Sequence, residues 1–278
     1  MCLLIALFAE LPDAPLLVAA IRDEGYSRPA VAMTVLRAAG PRILGGRDQL
    51  AGGTWLAVNE HGVVAGLTNQ PSPSGRDAAK RSRGELPLAF AAHRSAREAV
   101  AAVTPTLDAG VYNPCWMLVG DRNTLFFIGL NGSGRAEVEQ LPPGLYILEN
   151  SPLRPPSPKA EYVAALVAQE RAARPGDAAA VADALKAVLR DHRPVPPPPS
   201  APPPSAAAPA RPAALSAPCV HTPEYGTRSG LIVTVPPAGP ARLQVADGPP
   251  CEVPFADATG LWASPAPDGA TPDLTCPT

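Results

Sequence analysis

The chain has 278 residues, 46% of them hydrophobic and 17% charged, with 23 basic and 25 acidic side chains and a formal net charge of −2. That suffices for a sizeable core in one large domain or two small ones, and the absence of a basic stripe argues against nucleic acid or anionic membrane as a partner. The longest apolar runs, such as Cys2 to Ala9, fall well short of the roughly 20 residues that a membrane-spanning helix needs.

Met1 to Ala9 lacks a basic leading region and meets Glu10 before a signal-type apolar stretch is complete, so a cytoplasmic location is expected. Cys2–Ala9 and Pro15–Ala20 are short apolar runs around the turn-like Glu10-Leu11-Pro12-Asp13, which predicts a hairpin. Thr54–Asn59 and Gly62–Thr68 predict a second pair, Cys115–Gly120 and Thr124–Leu130 a third. Gly144–Glu149 adds a single strand, and Ser229–Val235 with Ala241–Val245 a last hairpin. About nine strands, mostly joined as hairpins, predict an antiparallel sheet system.

Three helices carry start signals. Ser95 and Glu98 have capping-box spacing ahead of Ala99, Val100 and Val103. Ser157 precedes Pro158, and Tyr162, Val163, Leu166 and Val167 then line one face. Asp177 opens a third, in which Val181, Leu185, Val188 and Leu189 recur at helical period. Strands, then helices, then a returning strand fit sheets with helices packed outside. Residues 194–218, nearly all Pro, Ala and Ser, cannot contribute a core and are expected as a surface loop that returns the chain to the same sheet. The expected domain is therefore 1–245, followed by a Pro/Gly-rich tail over 246–278.

The five cysteines are Cys2, Cys115, Cys219, Cys251 and Cys276, an odd set with long spacings and no CxxC. Neither a disulfide framework nor a zinc site is predicted from spacing. Cys115 reads as a buried strand residue; His221, close to Cys219, could bind metal, but the entrance to a strand is the plainer reading and no metal site is expected.

Cys2 is different. Excision of Met1, favoured by a small second residue, would leave a thiol and a free α-amine on one residue. An α-amine titrates near pH 7.7–8.0 and can act as the base for its own thiol. An antiparallel return would bring Arg22 and Asp23 back to this end, where Arg22 lowers a thiol pKa by proximity; a solvated turn is the plainer reading of those two charges. Asn69 and Asn150 each end a strand. Their amides are suited to stabilising an oxyanion, or are simply turn residues.

Seven segments occur in an order that resembles one family. They are Cys2, Ala19-Ala20-Ile21-Arg22-Asp23-Glu24, Gly46-Arg47-Asp48, Ala51-Gly52-Gly53-Thr54-Trp55-Leu56, Leu67-Thr68-Asn69, Ser82-Arg83-Gly84-Glu85-Leu86 and Tyr225-Gly226-Thr227-Arg228-Ser229. Together they are similar to the NRDE family, which includes the transport and Golgi organisation relatives and in turn resembles N-terminal nucleophile hydrolases of the bile salt and penicillin V amidase type. The resemblance implies an α+β fold, a four-layer αββα sandwich of largely antiparallel sheets. It implies Cys2 as nucleophile, Arg22 and Asp23 as its supports, Asn69 and Asn150 as oxyanion and amine-binding asparagines, and Arg228 as an arginine near the nucleophile. Ile21 stands where the name-giving motif has Asn.

Two functions follow as expectations. One is hydrolysis of, or acyl transfer from, a small amide or thioester by the Cys2 thiolate, with no cofactor. The other is a non-enzymatic carrier of haem, a lipid or another small apolar ligand on the same scaffold, with Cys2 able to ligate haem iron.

Overall fold

A computed structural model of the chain describes residues 2–72, 75–196 and 212–265, with Cys2 described by its main chain only. The strands, in chain order, are β1 (Cys2–Phe8), β2 (Leu16–Gly25), β3 (Ala30–Arg37), β4 (Ile43–Asp48), β5 (Leu56–Asn59) and β6 (Val64–Asn69). They continue as β7 (Cys115–Gly120), β8 (Leu125–Leu130), β9 (Glu137–Leu141), β10 (Gly144–Leu148), β11 (Tyr225–Val235), β12 (Arg242–Ala246) and β13 (Ala256–Asp257). The helices are α1 (Glu85–Ala91), α2 (Ala96–Val103), α3 (Pro158–Ala173) and α4 (Ala178–Leu189).

Two antiparallel sheets result. The first runs β10-β1-β2-β11-β12-β13 and the second β3-β4-β5-β6-β7-β8-β9. The period-two pattern of β1 explains the layering. Leu4, Ala6 and Phe8 join Leu16, Val18 and Leu231 of the same sheet in a core shared with Leu44, Leu56 and Leu118 of the other. Leu3, Ile5 and Leu7 face the opposite way, onto Val163, Leu166, Leu185 and Leu189 of α3 and α4. On the far side, Phe90 of α1 and Ala99 of α2 pack on Met117 and Ile128. The order is helix, sheet, sheet, helix, as expected, and each fully buried Leu or Ile contributes about 1.5–3 kcal/mol.

The cap signals set three helix starts: the Ser95, Ser157 and Asp177 side chains accept from main-chain N–H groups of the turns that follow them. All nine predicted strands form, and β3, β4, β9, β13 and α1 are additional. The 194–218 loop lies mostly outside the described residues. Its described ends meet: Val195 N–H donates to Ser216 Oγ (2.8 Å), which also reaches Val195 O (3.1 Å). Beyond them β11 returns to the first sheet along the full length of β2.

The segment after Ala246 differs from a loose tail as far as Ser264. Ala258 N–H donates to Leu243 O (2.9 Å) and Trp262 Nε1 to Ala241 O (2.7 Å). The Arg42 guanidinium takes the carbonyls of Leu261 and Ser264. Leu261 and Trp262 pack on the inter-sheet core, which offsets the cost of ordering a Pro-rich stretch. Residues 266–278, including Cys276, lie outside the described set. No helix among the described residues is long and apolar enough to cross a membrane.

Candidate active site

At one end of the sandwich the strand registers bring the predicted site together. Cys2 pairs with Arg22, and Arg22 pairs in turn with Ser229. The β1–β10 ladder ends at the Leu4–Leu148 pair, and Asn150 follows two residues beyond it. Three strands of one sheet, β1, β2 and β11, thus meet at a single level. The second sheet answers through Asn69, at the end of β6, whose main-chain carbonyl accepts a hydrogen bond from Asn150 Nδ2. That bond ties the two sheets at the site. Asn150 Oδ1 is buried with no hydrogen-bond partner among the described residues.

Alternation separates Arg22 from Asp23. Arg22 shares its face with Val18 and Ala20, between the sheets, and is only 3% exposed. Its guanidinium carbon stands 4.7 Å from the centroid of the Trp55 ring, and Nη2 is 3.8 Å from Asp48 Oδ2. Guanidinium over indole is an attractive arrangement that strengthens as water is excluded. Asp48 is itself held by Arg28 Nε at 2.7 Å and by the N–H groups of Leu50 and Ala51. Burial pulls the Asp48 carboxyl upward, but these hydrogen bonds and the Arg28 charge outweigh it and hold the carboxyl below the usual range. Glu24, 4.0 Å from Arg22 and 3.8 Å from Arg28, completes a network of two cations and two anions.

Asp23 turns toward the helix layer. Thr227 Oγ1 donates to its Oδ1 at 2.6 Å. Burial raises its pKa, and the positive charge of Lys159, together with the Thr227 bond, offsets this only in part. Lys159 sits in the first turn of α3, buried, with no hydrogen-bond partner for Nζ among the described residues. In the sequence, Ser157-Pro158-Lys159 stands where the family resemblance has Trp-Pro-Lys, which marks the lysine without saying that it is buried beside Asp23. Ile21, between these features, is buried in the α3–α4 core. An apolar residue suits that position, and the departure from Asn there is a packing choice.

Arg228 is set apart. The β2–β11 register shifts between Thr227 and Ser229, so Arg228 is the extra residue of a β-bulge. Its Nη1 donates to Tyr26 O (2.6 Å) and Gly25 O (3.2 Å), and it is not among the residues that line the cleft. Its side chain thus tethers the β2–β3 turn.

The cleft that Arg22 borders has a volume of about 500 Å³. Asp48, Trp55, Asn69 and Gln70 line it, and Arg76, Arg81 and Arg83 give one wall a cationic character. Glycines let it close. A Cβ on Gly53 would come 2.6 Å from the main chain of Gly84, so only two glycines permit Thr54 N–H to reach Gly84 O at 2.9 Å. A Cβ on Gly46 would fall 2.0 Å from the Trp55 ring. The motifs Gly46-Arg47-Asp48, Gly52-Gly53-Thr54-Trp55 and Ser82-Arg83-Gly84 are therefore one wall, brought together by the turn after β4.

A second cavity, about 600 Å³, is mostly apolar and lies by α1 and α2; Leu36, Ile43, Leu86, Leu88 and Leu107 line it, together with His93, Arg37, Arg47, Arg81, Glu85 and Asp108. Cys115, as expected, is a strand residue with no exposure, and burial pushes its thiol up to about 12.

The family model described as Transport and Golgi organisation 2 matches residues 1–244. The bovine (Bos taurus) Transport and Golgi organization protein 2 homolog is 31% identical over 234 residues, 79% of this chain and 82% of the relative. The human (Homo sapiens) homolog is 30% identical over 231 residues with the same coverage. Among solved structures, a Caenorhabditis elegans N-acylethanolamine-hydrolyzing acid amidase ortholog superposes with a TM-score of 0.47 at 12% identity, over 84% of this chain and 92% of that one. A mutant of conjugated bile acid hydrolase from Clostridium perfringens gives 0.45 at 12% identity, over 89% of each.

Proposed function

We propose that this chain, which belongs to the Transport and Golgi organisation 2 family, is a cysteine amidohydrolase whose nucleophile and base both belong to Cys2. What supports this reading most is the main-chain register that pairs Cys2 with Arg22, which borders a polar cleft that Asn69 also lines.

With Met1 removed, the α-amine of Cys2 takes the thiol proton. The thiolate, favoured by the Arg22 charge, attacks the carbonyl carbon of a small amide or thioester. The C–O π pair becomes an oxyanion, which the Asn69 side-chain amide stabilises. Collapse expels the amine or thiol, which leaves with the proton from the α-ammonium. Water then adds to the Cys2 thioester, frees the acid and restores the thiol. Asn150 Oδ1, a buried acceptor, orients the amine, and Asp23 with Lys159 sets the charge behind it. The arginine wall favours substrates that carry a negative charge away from the scissile bond. No cofactor takes part in these steps.

The test is a panel of acyl amides and thioesters, with and without an anionic end, read by product release and by the mass of an acylated Cys2 peptide. Met1 retained on the mature protein, or turnover undiminished in Cys2→Ala, would falsify the mechanism.

The apolar groove favours a second reading, carriage of an apolar ligand such as haem or a lipid. Its Leu-rich lining would suit a hydrocarbon or macrocycle, and His93 could supply an imidazole ligand to a haem iron while Arg37 could face a carboxylate. Haem titration separates the sites. A Soret shift abolished by His93→Ala places the ligand in the groove; one abolished by Cys2→Ala places it at the cleft.

A further inference from the structure

Away from the cleft, three distant parts of the chain converge on one point. His192 follows α4, Cys219 and His221 precede β11, and Cys251 lies in the turn after β12. Cys219 Sγ is 3.7 Å from Cys251 Sγ and 3.6 Å from His221 Nε2, and His221 Nε2 is 3.1 Å from Cys251 Sγ. One ligand nitrogen of His192 lies within 4.8 Å of the His221 and Cys251 ligand atoms.

We propose that His192, Cys219, His221 and Cys251 form a tetrahedral site for zinc. A tetrahedral ion with sulfur at ~2.3 Å and nitrogen at ~2.0–2.1 Å holds neighbouring ligand atoms about 3.3–3.8 Å apart. The two sulfur-to-neighbour distances of Cys219 already fall in that range, and the His221–Cys251 pair needs to open by only tenths of an ångström. His192, exposed, can close by side-chain rotation. Two thiolates and two imidazoles suit zinc rather than calcium or magnesium. Four protein ligands leave no open position, so the role is structural. Binding converts two thiols to thiolates, the ion takes their sulfur pairs, and two protons go to solvent.

The alternative, a Cys219–Cys251 disulfide, needs sulfurs about 2.05 Å apart, and both cysteines are thiols here. A zinc ion would clasp the end of α4, the start of β11 and the turn after β12, closing the base of the 197–211 segment. It would also steady Val220, whose N–H donates to Thr227 Oγ1 at 2.8 Å. In the sequence only His221 beside Cys219 hints at the site, since His192 and Cys251 join it through tertiary closure and no spacing motif.

The experiment uses the full chain, reduced and stripped of metal with a chelator, then titrated with Co²⁺ and back-titrated with Zn²⁺. A single equivalent should give the intense visible bands of tetrahedral cobalt and a thiolate charge-transfer band, both erased by zinc, with proton release in weak buffer. Cys251→Ser, at a half-buried position, should weaken binding by more than the roughly 10–100-fold that loss of an outer partner costs. His192→Gln should weaken it less and leave the thiolate band. A pale octahedral cobalt spectrum without that band overturns the proposal. So does metal uptake unchanged in Cys251→Ser, or a reduced wild-type protein that takes up no metal and re-forms only a disulfide.

Discussion

The polar cleft and the apolar groove are of similar size, about 500 and 600 Å³, and are built in opposite ways. The cleft is made of strand ends and glycine turns, and it keeps Arg22, Asp23 and Asp48 wholly or largely out of water. The groove is walled largely by leucines and other apolar side chains of α1, α2 and the neighbouring strands, with charged groups such as Arg81 and Asp108 at exposed positions. Burying charge disfavours the folded state unless every partner is in place. A region that accepts that cost is organised for chemistry, whereas an apolar hollow costs only missing contacts. This difference is the ground for proposing catalysis at the cleft and carriage at the groove.

The sharpest way to break that assignment is to move the base without moving the thiol. An Ala inserted between Met1 and Cys2, and left as the mature first residue, turns the Cys2 amine into an amide. Turnover should fall by about 10²–10⁴, the usual contribution of a general base, while circular dichroism and uptake of an apolar probe by the groove stay unchanged. Full activity in a folded insertion variant would remove catalysis from Cys2. Asn69→Ala comes next, with an expected loss of about 10²–10³ in kcat for a lost oxyanion donor. Because the Asn150 bond to residue 69 is to its main-chain carbonyl, it should survive, and KM should change less than kcat.

Two carboxylates sharpen the contrast through pH. Asp48 has a lowered pKa in the fold, so its contribution to stability is present above its unfolded value near 3.9 and is lost as pH falls through the folded value. Asp48→Asn should cost about 1–3 kcal/mol at neutral pH, the range for hydrogen bonds to a charged group, and flatten the acid limb of a denaturation series. Asp23 is raised, so its contribution is complete below about 3.9 and is lost as pH rises through the folded value. Asp23→Asn should therefore raise the neutral-pH Tm while lowering turnover. A lower Tm would show that the charge is structural. The smallest effect is expected from shortening the 197–211 segment. Loop closure changes by only about 0.6 kcal/mol per doubling of length, and a large drop in Tm would show that the segment packs.

How much was legible in the sequence depended on whether one residue or several set a feature. Ser95, Ser157 and Asp177 each fix a helix start by a local bond, and each is readable. α1 has no side-chain cap and escaped notice. β4 reads as a loop because it contains Gly45-Gly46, β3 loses its period to register shifts, and β9 is an edge strand with four exposed residues. In the site, Arg22 and Asn69 followed from ordered motifs. Lys159 showed only as part of Ser157-Pro158-Lys159, and its burial beside Asp23 and the bulge at Arg228 did not show, because helix docking and a register shift decide them. The His192–Cys251 cluster arises from tertiary closure, which no spacing along the chain encodes.

The space next to Gly46 has a last consequence, for how such a chain can vary. The Trp55 ring occupies the volume that any side chain at position 46 would need, and the same ring lies against Arg22. The two positions behave as a single unit of inheritance. Gly46→Ala displaces the indole and with it the cover over the guanidinium, so a larger residue at 46 is tolerable only alongside a smaller one at 55. Among relatives, a change at either site alone should mark chains that have given up the cleft, while paired changes should mark those that have reshaped it for a different guest.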